Sequence, residues 1–148
     1  MINESITELL TKQMNMEFQA FYKYLSLSAY CESVSLNGFS AWFAVQSEEE
    51  PGHAMKIYKY LLDQDKEIKL LPLREPKGTY ASVEEAVHTA LENEKAVTAS
   101  INEIAGHAVK QGDFATYSFL QWFINEQVEE EATVRNMLDQ VRLVKDSG

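Results

Sequence analysis

The sequence predicts an all-α fold, an antiparallel four-helix bundle with one long crossover between helices 2 and 3. Three observations carry this expectation. Apolar residues recur at spacings of three and four rather than two, which is a helical period and argues against strands. Turn-forming residues cut the 148-residue chain into four segments of about 25 to 30 residues, well beyond the average globular helix of about 11 to 12. The connections between them run short, long, short, which joins two antiparallel hairpins by a single crossover.

The elements follow in order. Ser5-Ile-Thr-Glu8 reads as a capping box, and the helical pattern runs from there to about Glu32. Ser35 to Gly38 is a short turn, and a second helical pattern runs from about Phe39 to Gln64. The stretch DKEIKLLPLREPKGTYA carries Pro72, Pro76 and Gly78 and is expected to be the non-helical crossover. Ser82-Val-Glu-Glu85 is a second capping box, opening a helix that ends near Lys110. Gln111-Gly112-Asp113 makes a turn, and a fourth helix runs from about Phe114 to Val144.

One stretch tests this division. In SEEEPGHAMKIYKY, Pro51 and Gly52, the two poorest helix formers, stand between Glu50 and His53. The apolar stripe Phe39, Trp42, Phe43, Gln46, Glu50, His53, Ile57, Tyr60 and Leu61 nevertheless keeps one phase across them. Two independent helices would have no reason to agree in phase. The expectation is one helix, kinked where Pro51 denies the Ser47 carbonyl its hydrogen bond.

The length fits one domain, residues 1–148, with no internal repeat, low-complexity tract or linker to a second domain. A formal net charge of −10 disfavours nucleic acid and anionic membrane surfaces as partners and favours attraction of cations. No stretch approaches the roughly 20 apolar residues that span a bilayer. The start MINESITELL lacks the features of a secretion signal, so the expected location is cytoplasmic. A single cysteine, Cys31, excludes an internal disulfide framework and reads as a structural thiol.

The chemistry lies in charges on the wrong face. The stripe of the first helix, Leu10, Gln13, Glu17, Phe21, Tyr24 and Ser28, contains a carboxylate. The second contains Glu50 and His53. The third, Val87, Leu91, Glu94, Val97, Ile101 and Ile104, contains another carboxylate, and the fourth contains Gln127 and Glu130 among Leu120, Phe123, Ile124, Val134 and Leu138. Burying one unpaired carboxylate costs several kcal/mol, and these stripes carry no lysine or arginine to match. Bound metal is the economical compensation. Carboxylates with one imidazole suit iron or manganese, with zinc able to compete, and Glu50 beside His53 is best placed to bridge two ions. Tyr24, two turns from Glu17, is a packed ring or an electron donor. Glu126, Glu129 and Glu130 share a helical face and, with Glu49, form a candidate for a further cation; the alternative is a solvated acidic face. His88 and His107 have no such carboxylate partners at matching positions and read as surface or packing residues.

With these residues in place, the sequence resembles the bacterial non-haem ferritins over essentially its whole length. The residues that carry the likeness are MEFQAFYKYL around Glu17 and Tyr24, the Glu49-Glu50-x-x-His53 motif, Asn93-Glu94, and FLQWFINEQVEEEATV. The resemblance implies a ferritin-like bundle whose ferroxidase centre holds one iron by Glu17, Glu50 and His53. It implies a second iron on Glu50, Glu94 and Glu130 with Gln127 nearby, and a third iron site at Glu49, Glu126, Glu129 and Glu130. It also implies a hollow shell of 24 subunits that stores ferric mineral.

The departures refine the expectation. Symmetric di-iron bundles carry two Glu-x-x-His motifs, whereas here the second is Gln127-x-x-Glu130, which suggests one weaker iron position suited to passing iron onward. Bacterioferritins bind haem through a methionine directly after the bridging glutamate; Pro51 stands there, so no haem is expected. Related chains continue into a short fifth helix that lines the four-fold pore, while this one stops at Lys145-Asp-Ser-Gly148, implying either a trimmed chain or a more open pore. The expected activity is that of a ferroxidase: two Fe(II) ions bind, dioxygen or hydrogen peroxide oxidises them, and ferric product moves to a mineral core. The alternatives are a soluble, peroxidase-like di-iron redox enzyme that stores nothing and a helical interaction module without metal.

Overall fold

The computed structural model describes the backbone of residues 2–147 and side chains as far as Lys145. Four helices follow in order: α1 Glu4–Ser33, α2 Asn37–Asp63, α3 Val83–Lys110 and α4 Phe114–Ser147, with no strand among the described residues. They fall into two compact units, one ending at Thr79 and the other beginning at Tyr80, each an antiparallel helical hairpin. No helix of the described residues is long and apolar enough to cross a membrane. The expected absence of a fifth helix concerns the chain end, of which Gly148 lies outside the described residues.

Side chains cap α1, α3 and α4, and two starts shift from expectation. α2 begins at Asn37 rather than about Phe39, so the turn is shorter, and its cap residue Leu36 makes no side-chain hydrogen bond. Asn3, not Ser5, caps α1: its side-chain oxygen accepts from the Ile6 N–H at 3.0 Å and from the Ser5 hydroxyl at 3.0 Å. An asparagine two residues upstream thus satisfies the orphan donors first, and Ser5 becomes part of the first turn. At α3 the expected cap is present, with Ser82 Oγ accepting from the Glu85 N–H at 3.1 Å, while the Glu85 carboxylate accepts from the Ala81 N–H. Asp113 opens α4 by accepting from the Thr116 N–H at 3.1 Å.

The first three helices end alike. Ser35, Asp65 and Gly112 each adopt positive φ, at 62°, 58° and 69°. The residue after each returns a backbone bond to the preceding turn: Leu36 to Cys31, Lys66 to Leu61 and Asp113 to Ala108. This double-bonded ending satisfies carbonyls that the helix leaves without partners. Only Gly112 adopts it without a side-chain penalty.

α2 passes Pro51 without interruption. Ser47, whose carbonyl loses its helical donor there, is buried, and its hydroxyl donates to the Ala44 carbonyl at 2.7 Å. Ile6, Leu10, Met14 and Leu27 of α1 and Phe43, Ile57 and Leu61 of α2 are fully buried. At the hairpin end, the Ser28 hydroxyl donates to the Ser40 carbonyl at 2.7 Å. In the second unit, Ile101, Ile104, Leu120 and Val134 are buried, and Arg142 and Lys145 pair with Glu84 at 2.9 and 2.8 Å.

Residues 64–82 carry neither helix nor strand, and α1 holds this crossover by side-chain rungs. Asn15 donates to the Lys69 carbonyl at 3.0 Å and accepts from the Leu71 N–H at 2.8 Å. Gln19 repeats the pattern on Arg74 at 2.8 and 2.7 Å, and Ser26 donates to the Lys77 carbonyl at 2.6 Å. Asn15 is buried, whereas the Gln19 bonds are exposed to competing water. Asn15→Ala is therefore expected to cost about 1–2 kcal/mol and lower Tm by about 2–8 °C, with Gln19→Ala costing less. Calorimetry of both variants checks the order; a costlier Gln19→Ala would contradict it.

Candidate metal centre

The helical period places three potential ligands at one spot in the first unit. Glu17 lies on the inward stripe of α1, and Glu50 and His53, three apart, lie on the same face of α2. They are only 2%, 4% and 8% exposed. Glu17 Oε2 lies 3.6 Å from His53 Nδ1, and Glu50 Oε2 lies 3.3 Å from the same nitrogen. One donor atom from each residue falls within 4.8 Å of the others, the only such trio among the described residues. Two ligand atoms at about 2.1 Å from a shared ion, with angles of about 90–109°, sit about 3.0–3.4 Å apart. The trio fits that spacing with small adjustments.

Burial and mutual contact shift the protonation of Glu50 and His53. Burial raises the Glu50 carboxyl to about 7, assisted by its hydrogen bond and repulsion with Glu17 and opposed by His53. For His53, burial is the largest influence and favours the neutral ring, but hydrogen bonds and charges of Glu17 and Glu50 together outweigh it and raise the imidazole to about 10. Both groups therefore bind protons more tightly folded than unfolded. Glu50 contributes stability below about 4.5 that is lost as pH rises through about 7; His53 contributes stability below about 6.5 that is lost through about 10. Metal-free protein is expected to lose a few kcal/mol between pH 5 and 10, seen as a falling urea midpoint. Glu50→Gln should flatten the lower part of that slope; an unchanged slope would remove Glu50 as its source. A cation held by these groups would take the place of their protons.

The second unit carries the other inward acids. Glu94 on α3 and Gln127 and Glu130 on α4 are buried. Gln127 Nε2 approaches Glu94 Oε2 at 3.1 Å, the Glu94 carbonyl at 3.2 Å and Thr98 Oγ1 at 3.3 Å. Tyr24 is buried and stacks on Phe43 with ring centroids 5.9 Å apart. Glu49 and Glu129 are exposed and Glu126 is half-buried. His88 is exposed, as expected of a surface residue, but it does face a carboxylate, Glu92, at 3.7 Å one turn on. His107 is half-buried. Cys31 is buried, and burial raises its thiol, as for a structural residue.

Two buried glutamines take part that the sequence reading placed on the stripes without a role. Gln13 Nε2 donates to Glu17 Oε1 at 3.0 Å, and Gln46 Nε2 donates to Glu50 Oε1 at 3.2 Å. The available signal was an amide four residues before each of these two carboxylates, one turn along the same helix face.

Four helices in two antiparallel hairpins, a long crossover and a buried acid on each helix define a ferritin-like four-helix bundle. The comparisons agree. The ferritin family pattern, described as ferritin-like domain, matches residues 7–144. A bacterial non-heme ferritin of Campylobacter jejuni is 34% identical over 148 residues, covering 100% of this chain and 89% of that protein. A bacterial non-heme ferritin of Staphylococcus haemolyticus is 35% identical over 146 residues, covering 99% and 88%. Among solved structures, an open pore ferritin from the archaeon Archaeoglobus fulgidus superposes with a TM-score of 0.95 at 40% identity, covering 97% of this chain and 89% of that one. This chain belongs to the ferritin family.

Proposed function

We propose that this chain is an iron-storage protein with ferroxidase activity, for which Fe(II) is the substrate. The observation that carries this reading is the buried Glu17–Glu50–His53 trio, spaced for a shared cation, in a chain of the ferritin family. In this reading residues 1–148 act as one di-iron domain. Glu17, Glu50 and His53 hold one iron; Glu50, Glu94 and Glu130 hold the other, with Gln127 beside it. Glu49, Glu126, Glu129 and Glu130 take a third. Tyr24 is an electron donor close to the first set.

The metals supply the redox chemistry: each Fe(II) loses one electron to dioxygen or hydrogen peroxide. The protein binds the ions, orders their carboxylates, gives up protons from His53 as they load, and keeps bulk water from the buried trio. Haem has no part in this reading. The chain assembles into a shell, proposed as a 24-mer, in the cytoplasm, with neither nucleic acid nor membrane as partner. The net charge of −10 suits a surface that draws cations.

The test is iron co-eluting with protein on size exclusion after stepwise aerobic loading with Fe(II). Iron far above site number in a particle of many subunits is the expected result. A plateau near two or three irons per chain in a small species would replace storage with a di-iron redox enzyme, and no retained iron would overturn both.

A further inference from the structure

The two carboxylates of the trio are held in the same way. Glu17 and Glu50 each give Oε1 to a buried glutamine amide and turn Oε2 towards His53 Nδ1. Each glutamine sits four residues before its carboxylate on the same helix, so the backbone fixes the geometry of both pairs. The arrangement is retained at a cost: Gln13 is fully buried, and its Oε1 has no hydrogen-bond partner among the described residues. Such an orphaned acceptor costs about 1–3 kcal/mol, which a leucine of similar size would avoid. The partner the Gln13 amide does have is the carboxylate of Glu17.

We propose that Gln13 and Gln46 are positioning residues that present Oε2 of Glu17 and Glu50 to a divalent cation while holding each Oε1 out of its reach. This rests on the reading of Glu17, Glu50 and His53 as ligands. Each carboxylate is thereby set to bind through one oxygen. Glu50 has a further consequence, because a bridging role needs both of its oxygens. The first ion binds at Oε2 with the Gln46 hydrogen bond undisturbed, whereas the second must share Oε1 with the Gln46 N–H or displace it. Gln46 thus separates the two binding steps, and Gln13 strengthens the first.

An anaerobic titration with Co(II), followed by heat and by visible absorption, tests this on the intact protein. Gln13→Met is expected to weaken the tightest Co(II) step by about 10–100-fold, the usual effect of removing a partner that orients a ligand. Its Co(II) spectrum should also change, as Glu17 becomes free to bind through both oxygens. Gln46→Met is expected to narrow the gap between the first and second steps by about tenfold, the worth of one hydrogen bond to a charged group. If methionine at position 13 prevents folding, Gln13→Asn keeps the amide but draws it back by one methylene, and should show the same loss. Parent-like affinities and spectra in the folded variants overturn the positioning role. A parent protein that takes up no Co(II) overturns the ligand reading itself.

Discussion

Glu50→Ala is expected to slow aerobic Fe(II) oxidation at least about 100-fold. Removing a group that only orients a metal ligand costs about 10–100-fold, and Glu50 is proposed as a direct ligand to both ions. Its Oε2 lies 3.3 Å from His53 Nδ1, so its loss leaves the first ion with Glu17 and His53 alone. Stopped-flow absorbance at sub-stoichiometric iron reads the effect before mineral growth contributes. The isosteric Glu50→Gln variant separates chemistry from folding. It should lose the same rate yet match or exceed the parent's metal-free stability above pH 7, because burial already raises this carboxyl to about 7. Oxidation at the parent's rate in Glu50→Ala would remove Glu50 from the centre.

Pro51→Ala is expected to be the largest single gain in stability. α2 runs from Asn37 through Asp63 with Pro51 inside it, so the proline withholds a hydrogen bond from the Ser47 carbonyl and crowds it. Alanine restores both, worth up to about 3 kcal/mol, or a rise in Tm of about 6–12 °C. Gly52→Ala should add about 1 kcal/mol, since a Cβ built there meets nothing within 4 Å among the described residues beyond its own helix turn. Scanning calorimetry of metal-free protein checks both. A lower Tm for Pro51→Ala would mean that the proline ring contributes packing that outweighs the missing bond. The Pro-Gly pair lies between two proposed ligands, Glu50 and His53.

The helices were legible because the information is local. Apolar spacing, Pro72, Pro76 and Gly78 in the crossover, and the cap at Ser82 all act within a few residues, and the structure follows them. Continuity through Pro51 was legible as well, since one phase spans it. The same phase put Glu17, Glu50, His53, Glu94, Gln127 and Glu130 on inward stripes, and all six are buried. The start of α1 was misplaced because Asn3 and Ser5 are both competent caps, and the choice turned on which oxygen reached the Ile6 N–H. The first two helix ends were legible to within a residue, but the positive φ at Ser35 and Asp65 was not, because neither is the glycine that normally signals it.

By itself, then, the sequence determined four helices, their order and the inward turn of the four acids with His53 and Gln127, because helical periodicity and capping are short-range. Only the tertiary structure decided which atoms meet. Asn15 reaches backbone 54 and 56 residues away. His53 meets Glu17 across the hairpin. Each carboxylate divides its two oxygens between an amide and an imidazole. Such contacts depend on the relative placement of elements far apart in the chain, and a linear pattern can name the residues on a face without saying which oxygen each one offers.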